Sequence, residues 1–183
     1  MMNARIRFLI GMLLMMTTAA DRIGLPAFAD EATSPLVQRN AIRLQEAGAQ
    51  VVIDAAIAKA KEMKLNVSVT VLDEAGQLYR FARMDGARPI SVFTSQTKAA
   101  SAINFRAETG PIMAGETVNL HLSLAVEHAA QASGGKFTSL KGGVPLVVDG
   151  QVIGAVGVGG ATGEQDQEIA RAAAKALADA LAK

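Results

Sequence analysis

Apolar positions along the chain follow two rhythms, and the places where the rhythm changes mark out the elements. From Glu46 to Lys64, the residues Ala49, Val52, Ile53, Ala56, Ile57, Ala60 and Met63 repeat every three or four positions, which predicts a helix with one apolar stripe. Val67-Ser68-Val69-Thr70-Val71-Leu72 then alternates with period two, and places Val67, Val69 and Val71 on one face of a strand. Glu74-Ala75-Gly76 is a short turn, after which Gln77–Arg83 returns as the second arm of an antiparallel hairpin. Ser91 is positioned to cap a helix to about Ile103, with Val92, Phe93, Ala99, Ala100 and Ile103 on one side.

Residues 104–119 have no clear period and contain Gly110-Pro111 and Gly115. A stretch of that length without regular structure inside a small domain is more often functional than a random link. Leu120–Gln131 reads as a short helix closed by Gly134-Gly135. Val144–Val148 and Gln151–Val158 form a second hairpin across Asp149-Gly150, a strong type I′ signal. The last helix begins at Thr162 with Gln165 three residues on, the capping-box spacing, and carries Ile169, Ala172, Ala173, Ala176, Leu177, Ala180 and Leu181 as its stripe. The order helix, hairpin, helix, helix, hairpin, helix predicts a mainly antiparallel sheet with helices packed on it, in the α+β class, without internal repeats or a second domain.

The N-terminus has a different pattern. Arg5 and Arg7 precede the apolar run Phe8–Met16, and Ala27-Phe28-Ala29 is a small-x-small site followed by Asp30-Glu31. This layout predicts a cleaved secretory signal over 1–29, with Ala19-Ala20 as a second cleavage point. The run falls short of the roughly 20 apolar residues needed to span a bilayer. Residues 30–45 read as a leader and 46–183 as one domain. Localisation is then periplasmic or secreted, with no stable membrane anchor after cleavage. Cleavage removes Arg5, Arg7, Arg22 and Asp21, which shifts the net charge from +1 to about −1 and leaves no basic stripe for nucleic acid.

Composition narrows the chemistry. Half of the residues are apolar but only 4% are aromatic, so the core rests on Ala, Val, Leu and Ile. There is no cysteine, which excludes disulfides, thiolate nucleophiles, zinc–cysteine sites and covalent C-x-x-C-H haem attachment. The tract Gly154-Ala155-Val156-Gly157-Val158-Gly159-Gly160 joins a strand to a helix, yet departs from a dinucleotide fingerprint and is followed by no further strand. It reads as close backbone packing, with an anion at the last helix N-terminus as the alternative. The two histidines, His121 and His128, are seven apart and share one helix face, where neutral imidazoles are suited to iron. Met84 and Met113 lie in loops, where a thioether can ligate haem iron. Asp73, Arg83, Asp85 and Lys98 form a polar set in which Asp73 and Arg83 can face each other across the ladder and Arg83 and Lys98 can hold a carboxylate. Glu164, Asp166 and Glu168 fit the acidic first turn of a helix, and no metal site is assigned.

Taken in order, these strings resemble a known family. Val71-Leu72-Asp73-Glu74-Ala75-Gly76 followed by Arg83-Met84-Asp85-Gly86-Ala87 resembles the "VVDxxG … RMDGA" signature of the GlcG/HbpS family. Thr97-Lys98-Ala99 resembles its "KA" helix. Gly142-Gly143-Val144-Pro145 and the tract from Gly154 to Gly160 resemble its "GGVP … GAIGVSG" pair, with Asp166 at its later aspartate. The likeness spans about residues 44–182. It implies a profilin-like three-layer sandwich, an antiparallel sheet of about five strands between helices, and homo-oligomers. It also implies non-covalent haem binding by exported proteins for scavenging, storage or redox sensing, with haem degradation in some members. Other members sit beside glycolate oxidation or corrinoid enzymes. Two departures stand out: Gly159 replaces the family's serine, and Asn104–Thr109 lacks the proline of its "F-x-R-P-T" segment. Thr109 is the nearest match to the threonine assigned as an iron ligand in haem-binding members.

The expectation is therefore an exported haem-binding protein, a binder rather than an enzyme, with haem near Thr109, Met113, His121 and His128. The alternative is an accessory protein or enzyme for hydroxy acids or corrinoids at Asp73, Arg83, Asp85 and Lys98.

Overall fold

The computed structural model describes residues 41–182, so the expected signal over 1–29 and most of the expected leader over 30–45 lie outside the described residues. Helix α1 (Glu46–Glu62) leads into strands β1 (Ser68–Asp73) and β2 (Leu78–Arg83), then helix α2 (Ser91–Phe105). A two-residue ribbon, β3 (Met113–Ala114) and β4 (Thr117–Val118), precedes α3 (Leu120–Ala132). Strands β5 (Gly143–Val148) and β6 (Gln151–Gly159) and helix α4 (Gly163–Leu181) complete the order. The main sheet runs β2-β1-β6-β5 with every neighbour antiparallel. It has four strands where about five were expected, and the additional pairing in the irregular stretch is the separate β3–β4 ribbon.

Local chemistry explains the turns. Asp149 and Gly150 both have positive φ, as a type I′ hairpin requires, and glycine takes the second position without a Cβ penalty. Thr162 accepts from the Gln165 amide while the Gln165 side chain accepts from the Thr162 amide, so the capping box is formed. Ser91 does not cap α2: it is the first helical residue, Ile90 is the N-cap, and the Ser91 hydroxyl donates to the Arg88 carbonyl oxygen at 2.6 Å.

Two unlike layers cover the sheet. Helices α1 and α4 pack side by side on one face. There Val69, Val71, Val156 and Val158 meet Val52, Ile53, Ala56, Ile169 and Ala173 in the main apolar core. Leu44, from the end of the leader, is buried in the same core. Helix α2 lies on the other face, against β1, β5 and β6. The sequence stripe with Phe93 inward is corrected: Phe93 is 65% exposed, and Ser91, Ser95, Lys98, Ala99 and Ala102 face the sheet. The reason is the short distance between helix and sheet. A Cβ on Gly157 would overlap the Ser95 carbonyl oxygen and stand 2.5 Å from the Ala99 nitrogen. A Cβ on Gly159 would overlap the Thr94 hydroxyl and press on the Ser91 carbonyl oxygen, so the site takes glycine. Only small inward residues fit such an approach, and their hydroxyls are satisfied across it. Ser68 Oγ and Ser91 Oγ are 2.7 Å apart, and Thr70 Oγ1 and Ser95 Oγ 2.9 Å.

Candidate functional site

The excursion between α2 and β5 builds the first candidate site. Helix α2 ends at Arg106, in the left-handed region with φ 53°. The chain then turns back to the sheet, where Thr109 is 6% exposed. Its amide donates to the Gly143 carbonyl oxygen at 2.9 Å, and the Gly143 amide donates to Thr109 Oγ1 at 2.8 Å. This reciprocal pair clamps the excursion to the start of β5. A cavity of about 610 Å³ opens beside the clamp, bordered by Thr109, Met113, Val118, Lys141, Gln167 and Arg171. A smaller one of about 260 Å³ shares Thr109 and Gly110 and is walled by Phe105, Ile112 and Val126.

Charges in the larger cavity neutralise one another. The Glu108 carboxylate accepts from Arg171 Nε at 2.9 Å and Nη2 at 2.6 Å, and from Gln167 Nε2 at 2.9 Å. The Arg171 guanidinium holds the Glu108 carboxyl below the ordinary glutamate range, with partial burial opposing it. Gln167 continues inward, where its Oε1 accepts from the Gly142 amide at 2.5 Å. Lys141 Nζ meets Glu164 Oε1 at 3.1 Å.

The candidate cofactor residues divide. Thr109 and Met113 border the same cavity, the thioether side chain half-exposed at its edge. The Thr109 oxygen is engaged by Gly143. His121 and His128 lie exposed along α3 and border neither cavity. A haem fits this region in size, since cofactor pockets span roughly 300–1,000 Å³. It also fits in donor chemistry, through a soft thioether.

The Asp73, Arg83, Asp85 and Lys98 set is not brought together. Asp73 and Arg83 sit at opposite ends of the first hairpin, because Arg83 pairs with Ser68 in the register. Asp73 Oδ1 instead accepts from the Ala75 and Gln77 amides, closing the turn. Arg83 donates to the Ala87 carbonyl oxygen, and Asp85 is exposed. Lys98 is sealed inside at 3% exposure. Its ammonium donates to Asp166 Oδ2 at 2.7 Å and to the Val158 carbonyl oxygen at 2.9 Å. Asp166 Oδ1 accepts from the Ala161 amide at 3.0 Å. Burial raises the Asp166 pKa above its usual value, while Lys98 and the Ala161 amide pull it down. The pair ties α2 to the end of β6 and the start of α4, so the role the structure gives Lys98 is architectural.

Sequence reasoning missed Glu108, Lys141, Glu164, Gln167 and Arg171 as cavity residues. Arg171 lies outside the apolar stripe of the last helix, and its partner is 63 positions away. No local spacing carries that signal.

Residues 44–175 match the model of a family described as haem degrading protein HbpS-like. The chain belongs to the HbpS-like family. Among relatives of this HbpS-like chain, the protein GlcG of Escherichia coli K12 is 41% identical over 115 residues, covering 63% of this chain and 80% of GlcG. The Klebsiella pneumoniae protein ORFY has a similar crystal structure, with TM-score 0.67, 29% identity and coverage of 79% of this chain and 98% of that one. The structure of a PduOC:haem complex is also similar, with TM-score 0.62, 25% identity and coverage of 74% and 95%. The three-layer antiparallel fold is thus that of the HbpS-like family.

Proposed function

We propose that this HbpS-like protein binds haem non-covalently in the cavity beside the Thr109–Gly143 clamp. The observation that carries this reading is that Thr109 and Met113 meet at one cavity of about 610 Å³ in a chain of this family. The similarity to PduOC, solved as a haem complex, supports it. In this reading Met113 supplies a thioether donor, and Val118 and Pro111 contribute apolar wall. Haem itself would supply the iron chemistry. Thr109 holds the loop in place through Gly143, and its hydroxyl proton remains available at the cavity. His121 and His128 act outside this cavity.

Export of the mature chain from about residue 30, to the periplasm or beyond, is part of the same proposal and rests on the 1–29 pattern. The chain also assembles as a homo-oligomer. What supports this is α3, which has apolar residues on nearly every side but buries only Val126 and Ala130 among the described residues. Leu120 is 67% exposed and Leu124 52%. Storage, scavenging or sensing suits such a binder better than turnover.

A hemin titration followed by absorption, with albumin as control, tests the reading. A saturable, stoichiometric band that shifts in Met113→Ala and survives in the His121→Ala/His128→Ala double variant is expected. A featureless titration removes haem. A band that depends on the histidines instead moves the site to α3.

A further inference from the structure

A second cavity, of about 420 Å³, lies along the flank of α2, between Leu72 of β1, the β1–β2 turn and the turn that ends α3. Its walls include Leu78, Phe93, Gln77, Gln96, Thr97 and Lys136. Leu78 and Phe93 are both more than half exposed, so each offers an apolar surface that no described residue covers. The wall opposite them is bare backbone. Gly134 and Gly135 have φ of 76° and 80°, and a Cβ on either would meet no atom within 4 Å. These glycines are needed where the chain leaves α3 through the left-handed region, and they bring Lys136 to the rim.

Thr97 donates its hydroxyl to the Thr94 carbonyl oxygen, but three other polar side chains of this cavity are uncommitted. Among the described residues, the Gln77 and Gln96 side-chain amides form no hydrogen bond to protein, and the Lys136 ammonium has no ion pair. Lys136 is the sole charged lining residue, with no Asp or Glu among the others. The contrast with the Thr109–Met113 cavity is direct, since there Arg171 is taken by Glu108 and Lys141 by Glu164. Backbone donors are also spent: the Gly135 amide donates to the Ala130 carbonyl oxygen at 2.7 Å and the Gly134 amide to that of Gln131 at 3.1 Å. No nest of N–H groups or arginine fork is present to hold a phosphate. One ammonium beside two free amides matches a monoanion, and an exposed aromatic face beside a leucine matches a flat apolar body.

We propose that this cavity is a binding site for a small aromatic monocarboxylate, its ring against Phe93 and Leu78, its carboxylate on Lys136, and its edge hydrogen-bonded by Gln77 and Gln96. The site is separate from the haem reading and shares no residue with it.

Calorimetric titration of the full chain with benzoate and with benzamide, its neutral isostere, tests the assignment. Benzoate is expected to bind about tenfold or more tightly than benzamide, the size of one partly desolvated charge contact. Lys136→Met should erase that preference while leaving benzamide binding unchanged. Phe93→Ala should weaken both ligands about fivefold or more, through loss of the stacking surface. Equal binding of the two ligands, retention of the preference in Lys136→Met, or no binding of either would each overturn the proposal. Hemin affinity should be the same in Lys136→Met as in the parent chain. A loss there would make Lys136 a haem contact and overturn the separate site.

Discussion

On one face of the sheet, Val69, Val71, Val156 and Val158 meet α1 and α4 through branched apolar side chains. On the other, Ser68, Thr70, Gly157 and Gly159 receive α2 so closely that backbone meets backbone. The residues come from the same two strands, alternating one by one, and the register pairs like with like: Val69 with Val158, Thr70 with Gly157. The apolar face is held by area removed from water, worth about 25 cal/mol per Å². The α2 face has little such area and relies on contact geometry, hydroxyl pairs and one buried ion pair. It should therefore tolerate added volume and lost polar partners less well than the valine face tolerates lost methyls.

The sharpest break of that comparison is at Lys98. Lys98→Met leaves Asp166, 1% exposed, as a buried carboxyl without its cation, and should cost about 3–5 kcal/mol in urea unfolding. Its pH dependence has a definite sign. The folded-state pKa of Asp166 is already raised by burial and rises further without Lys98, so the folded carboxyl keeps its proton to higher pH than the unfolded one. The variant should lose stability as pH rises from the ordinary aspartate value through the raised one, and so be less impaired in acid than at pH near 7.

Gly157→Ala adds one methyl against the Ser95 carbonyl and should cost about 3 kcal/mol, at the upper end for overpacking, because the obstacle is backbone. Ser95→Ala removes the partner of Thr70 and should cost about 1–2 kcal/mol by denaturant melts. Ile169→Val takes one methyl from the valine side and should cost about 1 kcal/mol. If Ile169→Val proved costlier than Gly157→Ala, the contrast between the faces would fail. The smallest effect is at the surface. Arg171→Ala should shift the urea midpoint least of these variants, since its pair with Glu108 is solvent-exposed and screened. The depressed Glu108 pKa makes that contribution present above the ordinary glutamate value and lost as pH falls through the lowered one.

Most of the architecture was legible because it rests on local rules. Asp149-Gly150, the Thr162–Gln165 box and the α1 stripe each announce themselves within a few residues. Helix α2 misled because its inward face is serine, alanine and lysine, chosen to fit glycines more than 40 positions away. Periodicity that counts only apolar residues turns such a helix the wrong way and points Phe93 inward. The candidate site divided on the same principle. Thr109 and Met113 belong to one irregular stretch, so reading that stretch as functional brings both to one cavity. Asp73, Arg83, Asp85 and Lys98 are near in sequence, but strand register and the Asp166 pairing disperse them.

The Thr109–Gly143 clamp has a consequence for how such a protein can diversify. It fastens the start of the excursion to the strand that follows its end, so the 33 positions between them form a loop closed at its base. The main contacts among the sheet, α1, α2 and α4 are made directly and not through β3, β4 or α3. Lineages can lengthen, trim or exchange this appendage, and with it the cavity it encloses, while the scaffold beneath keeps its register. The clamp works as a socket, and the ligand repertoire is what can be plugged into it.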